Sequence, residues 1–343
     1  MPYSKPTFHL SMLAACLVSL SAHAADDDLL SRDALFGDDL PKLTSSQNNS
    51  GTGIKGFIQF EAARTIAEPE HWSKLRSRAE LGTSGKLGDS MKWKVGARFD
   101  YDFAYAINDF YPSDVEKNQR HGIELRENYL DYSYGNWDFR FGKQHVVWGE
   151  MVGLFFADVV SARDLREFVL PEFDQMRIPQ WAVRAEYFAD DYHAELLWIP
   201  VASYDNIGKP GSEFYPMPTS PNVRYLQEIR PQHDADNMNY GLRLSTLKNG
   251  WDISGFYYRS TDVSPTFYRQ FDGPTAVYQA RHDRINQYGS TLSKDFGDVV
   301  LKAEGVYTTG RSFSVLDLAD SDGVVRQNTL DWAVGLDFTL PAE

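Results

Sequence analysis

From Ile54 onward the chain alternates, residue by residue, between apolar and polar side chains, and this period of two commits it to strands with one greasy and one wet face. The cleanest stretch runs from Met91 to Phe103. Met91, Trp93, Val95, Ala97, Phe99, Tyr101 and Phe103 fall on one face, and Lys92, Lys94, Arg98, Asp100 and Asp102 on the other. A soluble protein rarely keeps a strand this long and this two-faced. The hairpin from Asn128 to Gly142 carries the same signal around a tight Gly135-Asn136 turn, whose centre needs positive φ. Leu130, Tyr132 and Tyr134 share a face on its first arm, as do Trp137, Phe139 and Phe141 on its second. A sandwich core would be rich in Val, Ile and Leu. An aromatic face gathered near the turn fits a membrane strand that meets an interfacial girdle.

Twelve strands are predicted, over 54–62, 75–81, 91–103, 128–134, 137–142, 178–188, 192–199, 240–247, 251–258, 284–294, 299–308 and 330–338, the tenth alternating least clearly. Short turns are expected at 88–89, 135–136, 189–191, 248–250 and 295–298. Longer polar stretches, 104–121, 148–177, 200–237, 260–281 and 310–328, lie between them. Strict alternation of short and long connections is the habit of bacterial outer-membrane barrels, which have tight periplasmic turns and long extracellular loops. The expected fold is therefore all-β, an antiparallel transmembrane β-barrel of the outer-membrane type with at least twelve strands, built from residues 52–343. Leu340-Pro341-Ala342-Glu343 reads as a turn and lacks a terminal aromatic residue, so closing strands are expected beyond Glu343.

Residues 1–24 read as a signal peptide: Lys5 supplies a positive start, Leu10 to Leu20 an apolar stretch too short to span a bilayer, and Ala22-His23-Ala24 a cleavage site. Leu13-Ala14-Ala15-Cys16 resembles a lipobox, but the apolar run continues past Cys16 and ends at the Ala-His-Ala site. Residues 25–51 are polar and read as a periplasmic leader, with a plug as the competing reading. Cys16 is the only cysteine, so the exported chain can form no internal disulfide. Losing residues 1–24 removes Lys5 and no acid, which takes the formal charge from −14 to −15 and makes a nucleic-acid partner a poor fit. The mean hydropathy of −0.44 would suggest a soluble protein, but a barrel strand needs only every second residue apolar.

Two segments stand out, 142–150 (Gly-Lys-Gln-His-Val-Val-Trp-Gly-Glu) and 158–168, at the top of the fifth strand and in the long loop that follows. Here the chain resembles a family of proteobacterial outer-membrane proteins called domain of unknown function thirteen-zero-two. Leu125-Arg126-Glu127 with Tyr129-Leu130-Asp131 carries the resemblance, together with Gly142-Lys143-Gln144, Trp148-Gly149-Glu150 and Arg163-Asp164. It implies a porin-like barrel, similar in architecture to alginate-export barrels, in a Gram-negative outer membrane. It also implies a resistance-nodulation-division exporter and a periplasmic protein as partners, with lipid or other hydrophobic cargo.

Arg163, Asp164, Arg166, Glu167 and Glu172 at the barrel mouth form either an inward-folding constriction or an extracellular loop held by its own ion pairs. Gln144 and Glu150 are expected beside them as pore-lining groups. Arg76, Arg78, Lys92, Lys94, Arg98, Asp138, Arg140, Arg184, Glu186 and Arg243 face the lumen as a basic-leaning wall, which either guides an anion or cross-links the interior. Gly135, Asn136, Gly142, Trp148 and Gly149 are expected to be structural. If the hairpin's outer face continued unbroken, Arg126, Asn128, Lys143 and His145 would face outward. A bulge at Gly142, or a position above the hydrocarbon, is therefore expected. His145, His193 and His233 lack a spacing that singles one out for catalysis, and Asp190-Asp191 reads as a solvated turn. The expectation is a solute-passing or exporting barrel with no enzymatic activity, cofactor or metal, in contact with outer-membrane lipid and lipopolysaccharide. The alternative is a binding or structural barrel with a loop-filled lumen.

Overall fold

The computed structural model describes residues 53–149, 151, 156–168, 171–217, 219–232 and 234–338. The expected export segment and leader, Glu150, His233 and Leu340-Pro341 lie outside the described residues.

Seventeen strands are numbered along the chain: β1 (Lys55–Thr65), β2 (His71–Leu87), β3 (Met91–Asp102), β4 (His121–Tyr134), β5 (Trp137–Gln144), β6 (Ala162–Arg163), β7 (Arg177–Ile178), β8 (Gln180–Ala189), β9 (Tyr192–Val201), β10 (Val223–Tyr225), β11 (Asn239–Lys248), β12 (Trp251–Thr261), β13 (Thr266–Asp272), β14 (Thr275–Arg281), β15 (Arg284–Asp295), β16 (Val299–Ser314) and β17 (Val324–Phe338). Twelve of them form one sheet in the order β1-β2-β3-β4-β5-β8-β9-β11-β12-β15-β16-β17. Every sheet neighbour is therefore the next long strand, and each pair is antiparallel. These are the twelve strands that the alternation predicts. Several run further toward the long loops than expected; β4 begins at His121, and its added residues Ile123 and Leu125 continue the outward apolar face beside Phe99 and Ala97.

Burial along the strands is inside out. Ile58, Phe60, Leu81, Val95, Phe99, Leu196, Trp198, Leu242 and Leu244 point outward and are exposed, while Arg78, Arg98, Glu195, Arg243 and Glu304 point inward and are buried. Water cannot be the outer solvent of such a sheet; lipid can. Aromatic side chains mark both rims of the apolar band. At the short-turn end stand Tyr134, Trp137, Tyr187 and Trp251, and at the long-loop end Tyr257, Tyr288 and Tyr307 lie in direct cross-strand register. The fold is an antiparallel transmembrane β-barrel of the outer-membrane type. No helix among the described residues is long and apolar enough to cross a membrane.

Turn chemistry sets the tight ends. Gly135 takes φ +59° and Asn136 stays negative, the pattern of a type II′ turn, whereas Asn249 and Gly250 are both positive, at +54° and +73°, as type I′ requires. The expected bulge at Gly142 is not found: β5 pairs with β4 and β8 without a register shift from Trp137 to Lys143 and from Trp137 to Gln144. The shift lies instead between β3 and β4, where Val95 faces Asn128 but Ala97 faces Leu125. The extra residue lets Arg126 and Glu127 both turn inward, Arg126 toward Glu80 and Glu127 toward Lys94. Asn128 closes the bulge, donating to the Gly96 carbonyl at 2.8 Å. Lys143, half-buried, keeps the pleat parity of Phe139 and Phe141, opposite Asn128 and Trp181.

Candidate functional site

The described residues of the connection from β5 to β8, 145–149, 151, 156–168 and 171–179, turn into the barrel because their sequence and one side of the wall need each other. Val146, Trp148, Ala157, Val159 and Val160 are too apolar to stand in water. The inner face opposite them is apolar too, with Ala182 on β8, Leu197 and Ile199 on β9, Phe256 on β12, Val306 on β16, and Tyr258 beside them. Together they form a dry core inside the lumen. Trp148 is at its centre, 1% exposed, with its ring 5.1 Å from that of Phe256 and 5.7 Å from that of Tyr258. Its Nε1 donates to Glu195 Oε1 at 3.1 Å. Gly241 makes the room, since a Cβ there would lie 2.6 Å from Trp148 Cη2. Glu304, from β16, accepts the backbone N–H of Met151 at 2.6 Å and of Ala157 at 3.2 Å. The strands β6 and β7 pair with each other and form the stem of the inward segment.

Its far side is tied to the opposite wall by charge. Glu167 meets Lys74 at 2.9 Å and Arg76 at 3.0 Å. Arg98 donates to the Gln175 carbonyl at 2.8 Å, Arg78 to Gln175 Oε1 at 2.7 Å, and Arg126 to the carbonyls of Asp174 and Arg177, each at 2.7 Å. The segment thus spans from the β2–β4 wall to the β9–β16 wall. Within it, Asp164 and Arg166 pair at 2.6 Å, and Arg166 also donates to the Asn118 carbonyl at 2.8 Å. Burial pushes the Asp164 carboxyl up, but the adjoining Arg166 guanidinium outweighs it and holds Asp164 below the usual carboxylate range. Both expected readings of this loop describe part of it: it folds inward, and it carries its own ion pair.

The wall arginines are not a free basic surface. Glu80 and Arg98 are direct cross-strand neighbours and pair at 2.9 Å, and Arg78 pairs with Asp100 at 2.6 Å. Arg140 pairs with Asp131 at 2.7 Å and lies 3.9 Å over the Tyr129 ring, and Arg184 meets Glu186 at 3.0 Å. Arg243 is buried in the wall. Gln144, also fully buried, donates to the Ala182 carbonyl at 3.0 Å and so serves the wall rather than the pore. Gly142 has φ +131°, and a Cβ on it would lie 2.3 Å from the Asn128 carbonyl oxygen. At Gly149 an added Cβ would lie 3.2 Å from the Asp158 nitrogen and 3.3 Å from Glu304 Oε1, a tight fit but a milder one than at Gly142. His193 sits between Ser245 Oγ at 3.2 Å and Glu186 Oε1 at 3.1 Å, stacked on Phe188, away from both cavities described next.

Between the inward segment and the β12–β17 wall a cavity of about 350 Å³ remains, lined by Arg163, Ser260, Asp262, Gln287, Thr308, Arg311 and Asp331 among others. Arg311 and Asp262 pair across it at 2.9 Å. Arg163 is the predicted site residue that reaches this cavity; Asp164 and Arg166 line a recess of about 30 Å³ on the other side of the segment. Sequence reasoning missed Glu195, Phe256, Tyr258 and Glu304. A signal for two of them exists: Phe256-Tyr257-Tyr258 places large apolar rings on both faces of one strand, and a barrel wall does so only where something covers its inner face.

A family model described as "Protein of unknown function (DUF1302)" matches residues 73–343. No curated protein matches the chain. Solved structures similar to it include Salmonella typhi OmpF in complex with daunomycin, at 10% identity over 86% of this chain and 76% of that one, with a TM-score of 0.44. A loop L8 deletion mutant of OmpT from Vibrio cholerae is similar at 12% identity over 84% and 78%, with a TM-score of 0.43. Pseudomonas aeruginosa OccK8 (OprE) is similar at 9% identity and a TM-score of 0.42, over 83% of this chain and 63% of that chain.

Proposed function

This chain belongs to the family described as protein of unknown function (DUF1302), and from that premise we propose that it passes a small polar solute across the outer membrane of a Gram-negative bacterium, through a lumen narrowed by the inward segment 145–179. The observation that carries this reading is the cavity left between the segment and the β12–β17 wall. Its lining is rich in hydroxyl and amide groups, from Ser260, Thr308 and Gln287; the Asp262–Arg311 pair cancels charge there, and Arg163 and Asp331 add one charge of each sign. Hydrogen-bonding groups without a strong net field favour uncharged or zwitterionic polar solutes over a single ion type. The reading is of a conduit and not of a catalyst.

A second reading is the export of lipid or another hydrophobic cargo, received from an inner-membrane exporter and a periplasmic partner. One observation favours it: the wall beneath the segment is apolar at Leu197, Ile199, Phe256 and Tyr258, so a displaced segment would expose a greasy track. Reconstitution in planar bilayers separates the readings. Discrete, small conductance steps in the resting protein support the polar route. A correctly folded barrel that never conducts, yet moves labelled lipid between vesicles, would replace it with the second.

A further inference from the structure

We infer that the outer rim of β12–β17 carries a binding site for the phosphate of a phosphorylated lipid headgroup in the outer leaflet, formed by Arg259, Arg284 and Arg326. The inference goes beyond solute passage and rests on the placement of the long loops at the outer-leaflet side.

The argument begins with register. Tyr257, Tyr288 and Tyr307 face one another across β12, β15 and β16, with the rings of Tyr257 and Tyr288 5.1 Å apart. Tyrosines in such a row, apolar below and hydroxylated above, mark the level at which hydrocarbon gives way to headgroups. Two residues further toward the long loops, about 7 Å along the strand, the next row reads Tyr240, Arg259, Asn286 and Thr309. Above it comes Arg284, opposite Thr261, and Arg326 reaches the Arg284 carbonyl at 3.2 Å. The three arginines therefore lie in the two rows directly above the aromatic boundary, where phosphates of a lipid lie.

Charge supplies the second half of the argument. The chain has 48 acidic against 34 basic residues, and the wall arginines at Arg76, Arg78, Arg98 and Arg140 each hold a carboxylate. Arg259, Arg284 and Arg326 hold none among the described residues. Arg259 donates to Asn286 Oδ1 at 3.3 Å, Arg284 to the Met238 carbonyl at 2.9 Å and Asn239 Oδ1 at 3.0 Å, and Arg326 to the Gly310 carbonyl at 2.9 Å. Neutral acceptors orient a guanidinium without cancelling its charge. Asp283, the chain neighbour of Arg284, is engaged by the Tyr268 hydroxyl at 2.7 Å. Like charges so arranged repel one another until an anion joins them, and a phosphate oxyanion matches the guanidinium fork. Exposed Leu330 and Trp332 on β17 continue the lipid-facing surface directly below, where the acyl chains of the same molecule would lie.

Native mass spectrometry of the full chain, refolded in detergent, tests the site with bis-phosphorylated lipid A, the same lipid stripped of phosphate, and inorganic phosphate. The expected result is a lipid A adduct that survives detergent removal and falls about tenfold, the equivalent of one factor in Kd, in Arg259→Gln/Arg326→Gln. Arg64→Gln on β1 should leave the adduct unchanged, since Arg64 already pairs with Glu70. Equal binding of the phosphate-free lipid, binding of inorganic phosphate alone, or an undiminished adduct in the folded double variant would each overturn the assignment. Should the double variant not fold, phenylglyoxal labelling of the unmodified chain decides: lipid A should shield Arg259 and Arg326, and unchanged labelling of both refutes the site.

Discussion

Replacing Trp148 by alanine should open the lumen without unfolding the barrel. Trp148 is the largest side chain in the internal core and contacts wall residues Phe256, Tyr258 and Glu195, whereas the strand ladders do not depend on it. Truncating a buried Trp costs about 3–5 kcal/mol. The change also leaves buried Glu195 without its indole donor, a further cost of about 1–3 kcal/mol. Even the lower sum, near 4 kcal/mol at about 1.4 kcal/mol per tenfold, raises the detached fraction of the segment by a factor on the order of a thousand. The charged ties to Arg78, Arg98 and Arg126 on the other side remain, so the segment should swing rather than leave. The expected outcome in planar bilayers is a larger unitary conductance with frequent transitions between levels, accompanied by new protease cleavage within 145–179. The heat-modifiable migration of a folded barrel should persist. Unchanged conductance together with a protease-resistant segment would show that the internal core does not hold the loop, and the reasoning would fail.

Gly142→Ala should impair the β4–β5 hairpin, because a Cβ would collide with the Asn128 carbonyl and the residue would be forced to hold φ +131°. Strain of this kind costs about 1–3 kcal/mol before the clash is added, and a lower melting temperature with a smaller heat-modifiable fraction is expected; unaltered melting would refute it. A pH effect should appear in the loop 202–238. Burial raises the Glu228 carboxyl, but hydrogen bonds from His282 at 2.8 Å and Arg230 at 3.0 Å outweigh it and bring it down to about 2. Since the folded value lies below the ordinary 4.5, the stabilisation is fully present above 4.5 and is lost as pH falls through about 2. Pepsin cleavage of this loop should rise steeply across that window in the wild type and vary little in Glu228→Gln; identical profiles would argue against the tie.

The barrel was legible because its code is local. Parity along β3 or β17 needs no partner to be read, and the tight turns announce themselves through Gly135, Asn249 and Gly250. What could not be read depends on pairing. Arg98 and Glu80, or Arg140 and Asp131, are visible as inward-facing residues, yet only the register reveals that each pair cancels, and so decides between the two expected readings of the wall in favour of cross-linking. The bulge lies at Arg126-Glu127 and not at Gly142 for a similar reason: Gly142 uses its conformational freedom to let Asn128 approach, and the extra residue is absorbed on the other strand. Glu304 was missed because its two partners, Met151 and Ala157, are about half a chain away, and no spacing along the sequence encodes that meeting.

The internal core also joins parts of the chain that lie far apart in sequence. The strands that hold the segment by charge, β2 to β4, precede it along the chain, whereas β9, β12 and β16, which cover Trp148 and bind Met151 and Ala157, follow it. Each strand pairs only with its neighbours in the sheet, so the apolar half of the dock is complete only with β16 in place, whatever the order in which the strands join. A docked segment therefore reports that strands from both ends of the sheet, β2 and β16 among them, are in place together.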